Sequence, residues 1–221
     1  TYCDTAFTYL NGNSEKAIGE AVVARYPRES FTIATKTPMF KPITKEEMYE
    51  RLHTQLARFG TDHIDYYLLH NIGAQRVQYF EESGAWDFVK EIKEKGYVKH
   101  IGFSFHDSAE VLDDILTKHP EAEFVQLQIN YVDWLSDNVQ SKKNYEVCCK
   151  HGKPVVVMEP IKGGALVSLP DEAVEVLKAA NPNMSLAEWA LRYVESLDNV
   201  AVVLSGMSTI DQMKENADNM V

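Results

Sequence analysis

Short apolar runs and longer amphipathic stretches alternate along the chain. Residues 31–35, 64–69, 98–103, 124–129, Val155–Met158 and 200–204 are rich in β-branched and aromatic side chains, and several are apolar almost throughout. Runs of that kind suit parallel strands covered on both faces. Between them, apolar positions recur at helical spacing with charged residues around the rest of the surface. This predicts helices within 14–25, from Thr44 to about Phe59, over 86–95, from near Ser108 to before Pro120, and over about 142–151, 185–197 and 208–216. The punctuation agrees with these elements. Ser14 stands where an N-cap belongs, Glu46 and Glu47 fall in the first turn of the second helix, and Gly60, Gly96 and Gly152 follow helix ends.

Strand and helix therefore alternate, which implies a parallel sheet with right-handed crossovers. With Tyr2–Asp4 as the tail of a first strand, seven strands are expected. Seven is one short of the TIM (β/α)₈-type barrel, so the fold class expected is α/β, a parallel barrel lacking its first strand. One domain over residues 1–221, incomplete at both ends, accounts for the pattern. Irregular stretches at 71–82, 130–140 and 161–170 each follow a strand. In such barrels that is the face on which active sites are built.

Composition narrows the function. Hydrophobic residues make up 45% and charged residues 25% of the 221, the balance of a soluble globular chain. The net charge of −11 works against binding nucleic acid or an anionic membrane. No apolar run is long enough to span a bilayer, and residues 1–4 resemble no secretory leader, so a cytoplasmic location is expected. Cys3, Cys148 and Cys149 are odd in number and two are adjacent, which fits reduced thiols and no metal site.

Ionisable residues at strand ends carry the candidate chemistry. Asp4 closes the first run, Lys36 the second and His70 the third, and Tyr9 follows Asp4 in the next loop. Singly, each has an ordinary role: a loop-stabilising carboxylate, a solvated lysine, a core histidine, a packing tyrosine. Together they bring four polar groups to one rim, where a buried lysine or aspartate is costly without a partner.

The residues around these four resemble the aldo-keto reductase family. Asp4-Thr5-Ala6-Phe7-Thr8-Tyr9 with Gly12-Asn13-Ser14-Glu15, Ile33-Ala34-Thr35-Lys36, and Asp62-His63-Ile64-Asp65-Tyr66-Tyr67-Leu68-Leu69-His70 match that family in spacing and context. The resemblance implies reduction of an aldehyde or ketone by hydride from a nicotinamide cofactor. Tyr9 would be the general acid, Lys36 would lower its pKa, Asp4 would pair with Lys36, and His70 would donate a hydrogen bond or share in proton relay.

It also implies a cofactor site. Ser104 and Gln126 would grip the nicotinamide carboxamide, with Phe105 where the family usually has asparagine, and Met158 would pack on the ring. Pro160, Gly163, Gly164 and Leu166 would lie over the pyrophosphate. Gly206, Ser208, Gln212, Glu215 and Asn216 would hold the adenosine end, with Gln212 where arginine is frequent. That substitution leaves a slight preference for NADP(H) over NAD(H). The partner implied is a small carbonyl compound, and oligomeric state is left open. The run Phe103-Ser104-Phe105-His106 resembles a subgroup with a ferredoxin-like iron–sulfur tail, although no CxxCxxC run occurs and no cluster is expected in this chain. A non-catalytic cofactor-binding regulatory subunit on the same fold is the alternative.

Overall fold

The computed structural model describes residues 1–219. Its strands are β1 (Tyr2–Asp4), β2 (Thr32–Pro38), β3 (Ile64–Ile72), β4 (Val98–Phe105), β5 (Phe124–Gln128), β6 (Val155–Met158) and β7 (Val200–Val203). They lie side by side in chain order, each pair parallel, in a sheet curled into a nearly closed barrel. Helices α1 (Asn13–Ile18), α2 (Lys45–Phe59), α3 (Val77–Glu82), α4 (Ala85–Glu94), α5 (Ala109–Lys118), α6 (Ser141–Lys150), α7 (Asp171–Ala180), α8 (Leu186–Glu195) and α9 (Ile210–Asn219) connect or follow them. Among the described residues no helix is long and apolar enough to cross a membrane.

The register sorts the side chains into two layers. Asp4 pairs with Ala34, Ala34 with Tyr66, Leu68 with Gly102, Ser104 with Gln126, and Gln128 with Met158. Strand side chains alternate between faces, so the even-numbered positions in the middle of the strands share one face, while Ile64, Ile72, Val98 and Val200 at strand ends join the outer core. On that face Ala34, Leu68, Phe124 and Val156 pack with Tyr2, Tyr66, Val202 and Leu204 to fill the barrel. The odd positions, among them Ile33, Tyr67, Leu69, Phe103, Val125 and Val157, join the larger core beneath the helices.

The helices form largely for the reasons read in the sequence. Thr44 accepts a hydrogen bond from the Glu47 amide, and the Glu47 carboxylate accepts one from the Thr44 amide, a reciprocal cap on α2. Gly60 closes α2 in left-handed backbone.

Four local expectations are corrected. β2 runs past 35 to Pro38, so Lys36 sits inside the strand and not at its end. Ser14 does not cap α1; its Oγ accepts a hydrogen bond from Thr5 Oγ1, and the helix starts after Gly12 and finishes in a π turn, Gly19–Val23. That turn lays Gly19 on the backbone of Arg58 and Phe59, where a Cβ would come within 2.5 Å of the Arg58 carbonyl. The stretch 71–82 contains α3, which is short and buries only Phe80. α7, absent from the apolar-pattern reading, buries none of its residues. α3 spans only six residues, and α7, although amphipathic, leaves its apolar side chains at most half-buried.

Candidate active site

All six strand-borne site candidates are even-numbered, so the strand pleat turns them into the barrel. Asp4, Lys36, His70, Ser104, Gln126 and Met158 stand at or near the C-terminal ends of β1 to β6. The Lys36 ammonium is 1% exposed and donates to Asp4 Oδ1 at 2.6 Å and to the Thr5 carbonyl at 2.8 Å. Burial pulls the Lys36 pKa down and pushes the Asp4 pKa up, and their pairing works against both shifts. A buried pair of this kind persists because either charge alone would be far costlier.

Tyr9 sits in a loop held by a second buried acid. Glu15 is fully buried; its Oε1 accepts from Thr35 Oγ1 at 2.6 Å and Gln55 Nε2 at 2.8 Å, and its Oε2 from Arg58 Nη1 at 2.8 Å. Arg58 also donates to the Phe7 carbonyl, so the loop is anchored on both sides of Tyr9. The ring of Tyr9 stands edge-on to His70 at 5.7 Å between centroids, and Lys36 Nζ lies 5.4 Å from the Tyr9 ring centre.

The net shift at Tyr9 runs opposite to the lowering expected from Lys36. The ammonium is placed over the ring and committed to Asp4, and the phenol pKa is raised above its ordinary value by burial, by Asp4 and by Glu159. His70 is displaced to about 4 by burial first and then by the nearby Lys36, His106 and Arg76 charges. Its Nδ1 is buried without a partner among the described residues. At neutral pH the constellation thus holds a protonated phenol and a neutral imidazole, with the Lys36–Asp4 pair behind them.

A cavity of about 680 Å³ opens beside these residues. Of the expected residues, Asp4, Tyr9, Gln126, Met158, Pro160, Gly163, Gly164, Gly206, Gln212, Glu215 and Asn216 line it. Gln126 Nε2 donates to Met158 Sδ at 3.6 Å, while Gln126 Oε1 is buried with no partner among the described residues. An orphaned amide oxygen on a cavity wall is a donor's binding site in waiting. Asn216 is buried and donates to Ser205 Oγ at 2.8 Å. A wider recess of about 780 Å³ between α1 and α2, lined by Lys16, Glu20, Thr54 and Arg58 among others, receives none of the inward strand residues.

Five expected residues do not line the cavity. Lys36 lies behind Asp4, and His70 beside Tyr9. Ser104 is buried, its Oγ accepting from the Asn71 amide at 2.8 Å, so it fixes the bend after His70. Leu166 is buried and turned away. Ser208 is exposed, and its amide donates to Gln212 Oε1 at 2.8 Å. Gln212 Oε1 also accepts from the Thr209 amide, and Thr209 Oγ1 accepts from the Gln212 amide, a reciprocal cap at the start of α9. Phe105 points outward into the helix layer, since β4 runs two residues past Phe103.

The cavity wall also contains residues not assigned to the site from the sequence. Glu159 follows β6 in left-handed backbone, His106 ends the β4 stretch, and Ser185, Leu186 and Ala187 come from the start of α8. Ser185, read only as the first residue of a helix, caps α8 by accepting from the Glu188 amide at 3.0 Å. Asp107, next to His106, accepts from the amides of Ser108 and Ala74 and so secures the loop after β3.

Parallel barrel, inward polar strand ends and a cavity at the same rim define an α/β barrel with a candidate active site at the C-terminal ends of its strands. The Aldo/keto reductase family profile matches residues 1–221, and the chain belongs to that family. An aldo-keto reductase of Mycolicibacterium vanbaalenii is 28% identical over 218 residues, covering 97% of this chain and 71% of the relative. The NADH-specific methylglyoxal reductase of Escherichia coli is 23% identical over 258 residues, covering 96% and 76%. An aldo-keto reductase of Klebsiella pneumoniae, crystallised with NADPH, has the same fold at a TM-score of 0.79, with 20% identity, 100% of this chain covered and 74% of that one.

Proposed function

We propose that this chain reduces an aldehyde or ketone to an alcohol using a nicotinamide dinucleotide, with Tyr9 as the proton donor. The observation that carries the reading is the Lys36–Asp4 pair, Tyr9 and His70 gathered at the edge of a cavity whose far wall is Gln126, the 163–164 glycines and Asn216. The cavity fits the cofactor by its donor set: the unpartnered Gln126 oxygen suits an amide N–H, the left-handed Gly163 and Gly164 give a close backbone wall, and Glu215 and Asn216 suit a purine edge. The reduced nicotinamide supplies the hydride when bound.

The chain's own groups handle the proton and the charge. Tyr9, its pKa raised, stays a phenol at working pH and can give its proton to the carbonyl oxygen as negative charge develops there. His70, neutral because its pKa is near 4, serves as a hydrogen-bond donor to that oxygen rather than as a cation. Lys36 stands over the Tyr9 ring, where its charge stabilises the phenolate left after transfer. Asp4 holds the ammonium there. This complete set favours turnover over a purely regulatory role.

The cofactor preference turns on the start of α9. The amides of Ser208 and Thr209 are both taken by Gln212, and no Lys or Arg lines the cavity among the described residues. A 2′-phosphate would gain little there, so NADH is expected to bind at least as tightly as NADPH. Titrating each dinucleotide against the protein's fluorescence, then following cofactor oxidation with a panel of aldehydes and ketones, tests both parts. Failure to bind either cofactor overturns the proposal. NADPH binding tenfold tighter than NADH overturns the preference alone.

A further inference from the structure

The loop after β6 forms part of the cavity wall with an unusual backbone. Glu159, Lys162, Gly163 and Gly164 have φ of 54°, 50°, 61° and 94°. Two of these are not glycine, and left-handed backbone at such residues persists only where the surroundings impose it.

One buried carboxylate is bonded to this turn. Asp133, in the turn after β5, has a side chain only 5% exposed. Its Oδ1 accepts from Lys162 Nζ at 2.5 Å, and its Oδ2 accepts from Lys162 Nζ at 2.7 Å, Asn130 Nδ2 at 2.8 Å and Gln128 Nε2 at 2.9 Å. Asn130 Nδ2 also donates to the Glu159 carbonyl at 3.2 Å, and Asn130 Oδ1 accepts from the Asp133 amide at 2.9 Å. The turn is thus tied to Asp133 at two points, through Asn130 at the Glu159 carbonyl and directly at the Lys162 side chain. Asp133, Asn130 and Lys162 do not line the cavity, whereas Glu159, Gly163 and Gly164 do.

We propose that Asp133 is a positioning residue for the dinucleotide, latching the 159–164 turn in the shape that faces the cofactor. The proposal rests on the reading that this cavity takes a nicotinamide dinucleotide. Asp133 touches neither cofactor nor substrate, so it acts on cofactor affinity and leaves the chemical step alone.

The test uses Asp133→Asn, which keeps the volume but loses the charge, together with Lys162→Met and Lys162→Arg. Dissociation constants for NADH and NADPH, kcat at saturating cofactor, and hydrogen exchange of residues 159–167 are measured in each. Loss of charged hydrogen bonds should weaken cofactor binding roughly tenfold to a hundredfold in Asp133→Asn and Lys162→Met. kcat should stay within about twofold, exchange in the turn should quicken, and Lys162→Arg should recover most of the affinity. Should Asp133→Asn fail to fold, Lys162→Met, at the more exposed end of the pair, decides by the same criteria. Wild-type affinity in Lys162→Met, or a fall in kcat without loss of cofactor affinity, overturns the latch while leaving the site reading intact. A wild-type chain that binds neither dinucleotide overturns both.

Discussion

At the scale of single residues, the proposed chemistry rests on two side chains held in their uncharged forms. Tyr9 has its pKa pushed up by burial, Asp4 and Glu159, so the acid form persists well past neutrality. The rate of carbonyl reduction should therefore show no loss from a missing proton donor up to about pH 9, since an unperturbed phenol titrates only near ~10. A profile of kcat/KM falling with a midpoint near pH 7 to 8, with the protein still folded, would contradict this. Lys36→Met should leave the half-buried Asp4 carboxylate without its partner and cost about 1–3 kcal/mol of stability, measurable by denaturant unfolding. The four residues were legible in the sequence because a few type-and-spacing matches pick them out together. The direction of the Tyr9 shift was not, because it depends on where the ammonium lies relative to the ring and on Glu159, which arrives from a strand far along the chain.

At the scale of elements, the strand pleat does most of the work of assembling the site. Its six strand-borne members share parity although the β3–β4 register shifts between Leu69 and Ile72, and a one-residue slip in a strand would send its member into the helix layer. Gly102 shows how closely the inner face is filled. A Cβ there would lie 2.5 Å from the Phe124 carbonyl and 2.7 Å from its ring, so Gly102→Ala is expected to destabilise by about 1–3 kcal/mol. Unchanged thermal stability in that variant would show that β4 and β5 can separate more freely than the register implies. Strands and long helices were readable because buried runs and capped amphipathic stretches leave strong patterns. α3 and α7 were not, for they bury almost nothing. Gln212 is the instructive intermediate. The sequence showed it as an adenosine-end residue standing where arginine is frequent, whereas the structure also gives it a task in capping α9.

At the scale of the whole molecule, inner polar residues at one rim make stability depend on pH. His70 has a folded pKa near 4 against about 6.5 for a free imidazole, so the unfolded chain binds the extra proton first as pH falls. Stability is fully present above about pH 6.5 and declines toward pH 4, by about 3 kcal/mol from this group. Unfolding midpoints followed between pH 7 and 4.5 should fall in wild type and fall less in His70→Asn. Parallel curves for the two proteins would contradict it. The barrel itself could be anticipated from strand–helix alternation, but the latch through Asp133 could not. It joins residues of two successive loops through a geometry that neither loop's sequence announces.

The most direct test of the central claim is transfer of deuterium from reduced, ring-deuterated NADH or NADPH to a carbonyl substrate, read by mass spectrometry of the alcohol, with wild type beside Tyr9→Phe. The account predicts label in the alcohol with wild type, and with Tyr9→Phe an unchanged cofactor affinity but transfer slowed by about 100-fold or more. Unlabelled product, no product, or undiminished transfer by Tyr9→Phe would contradict it.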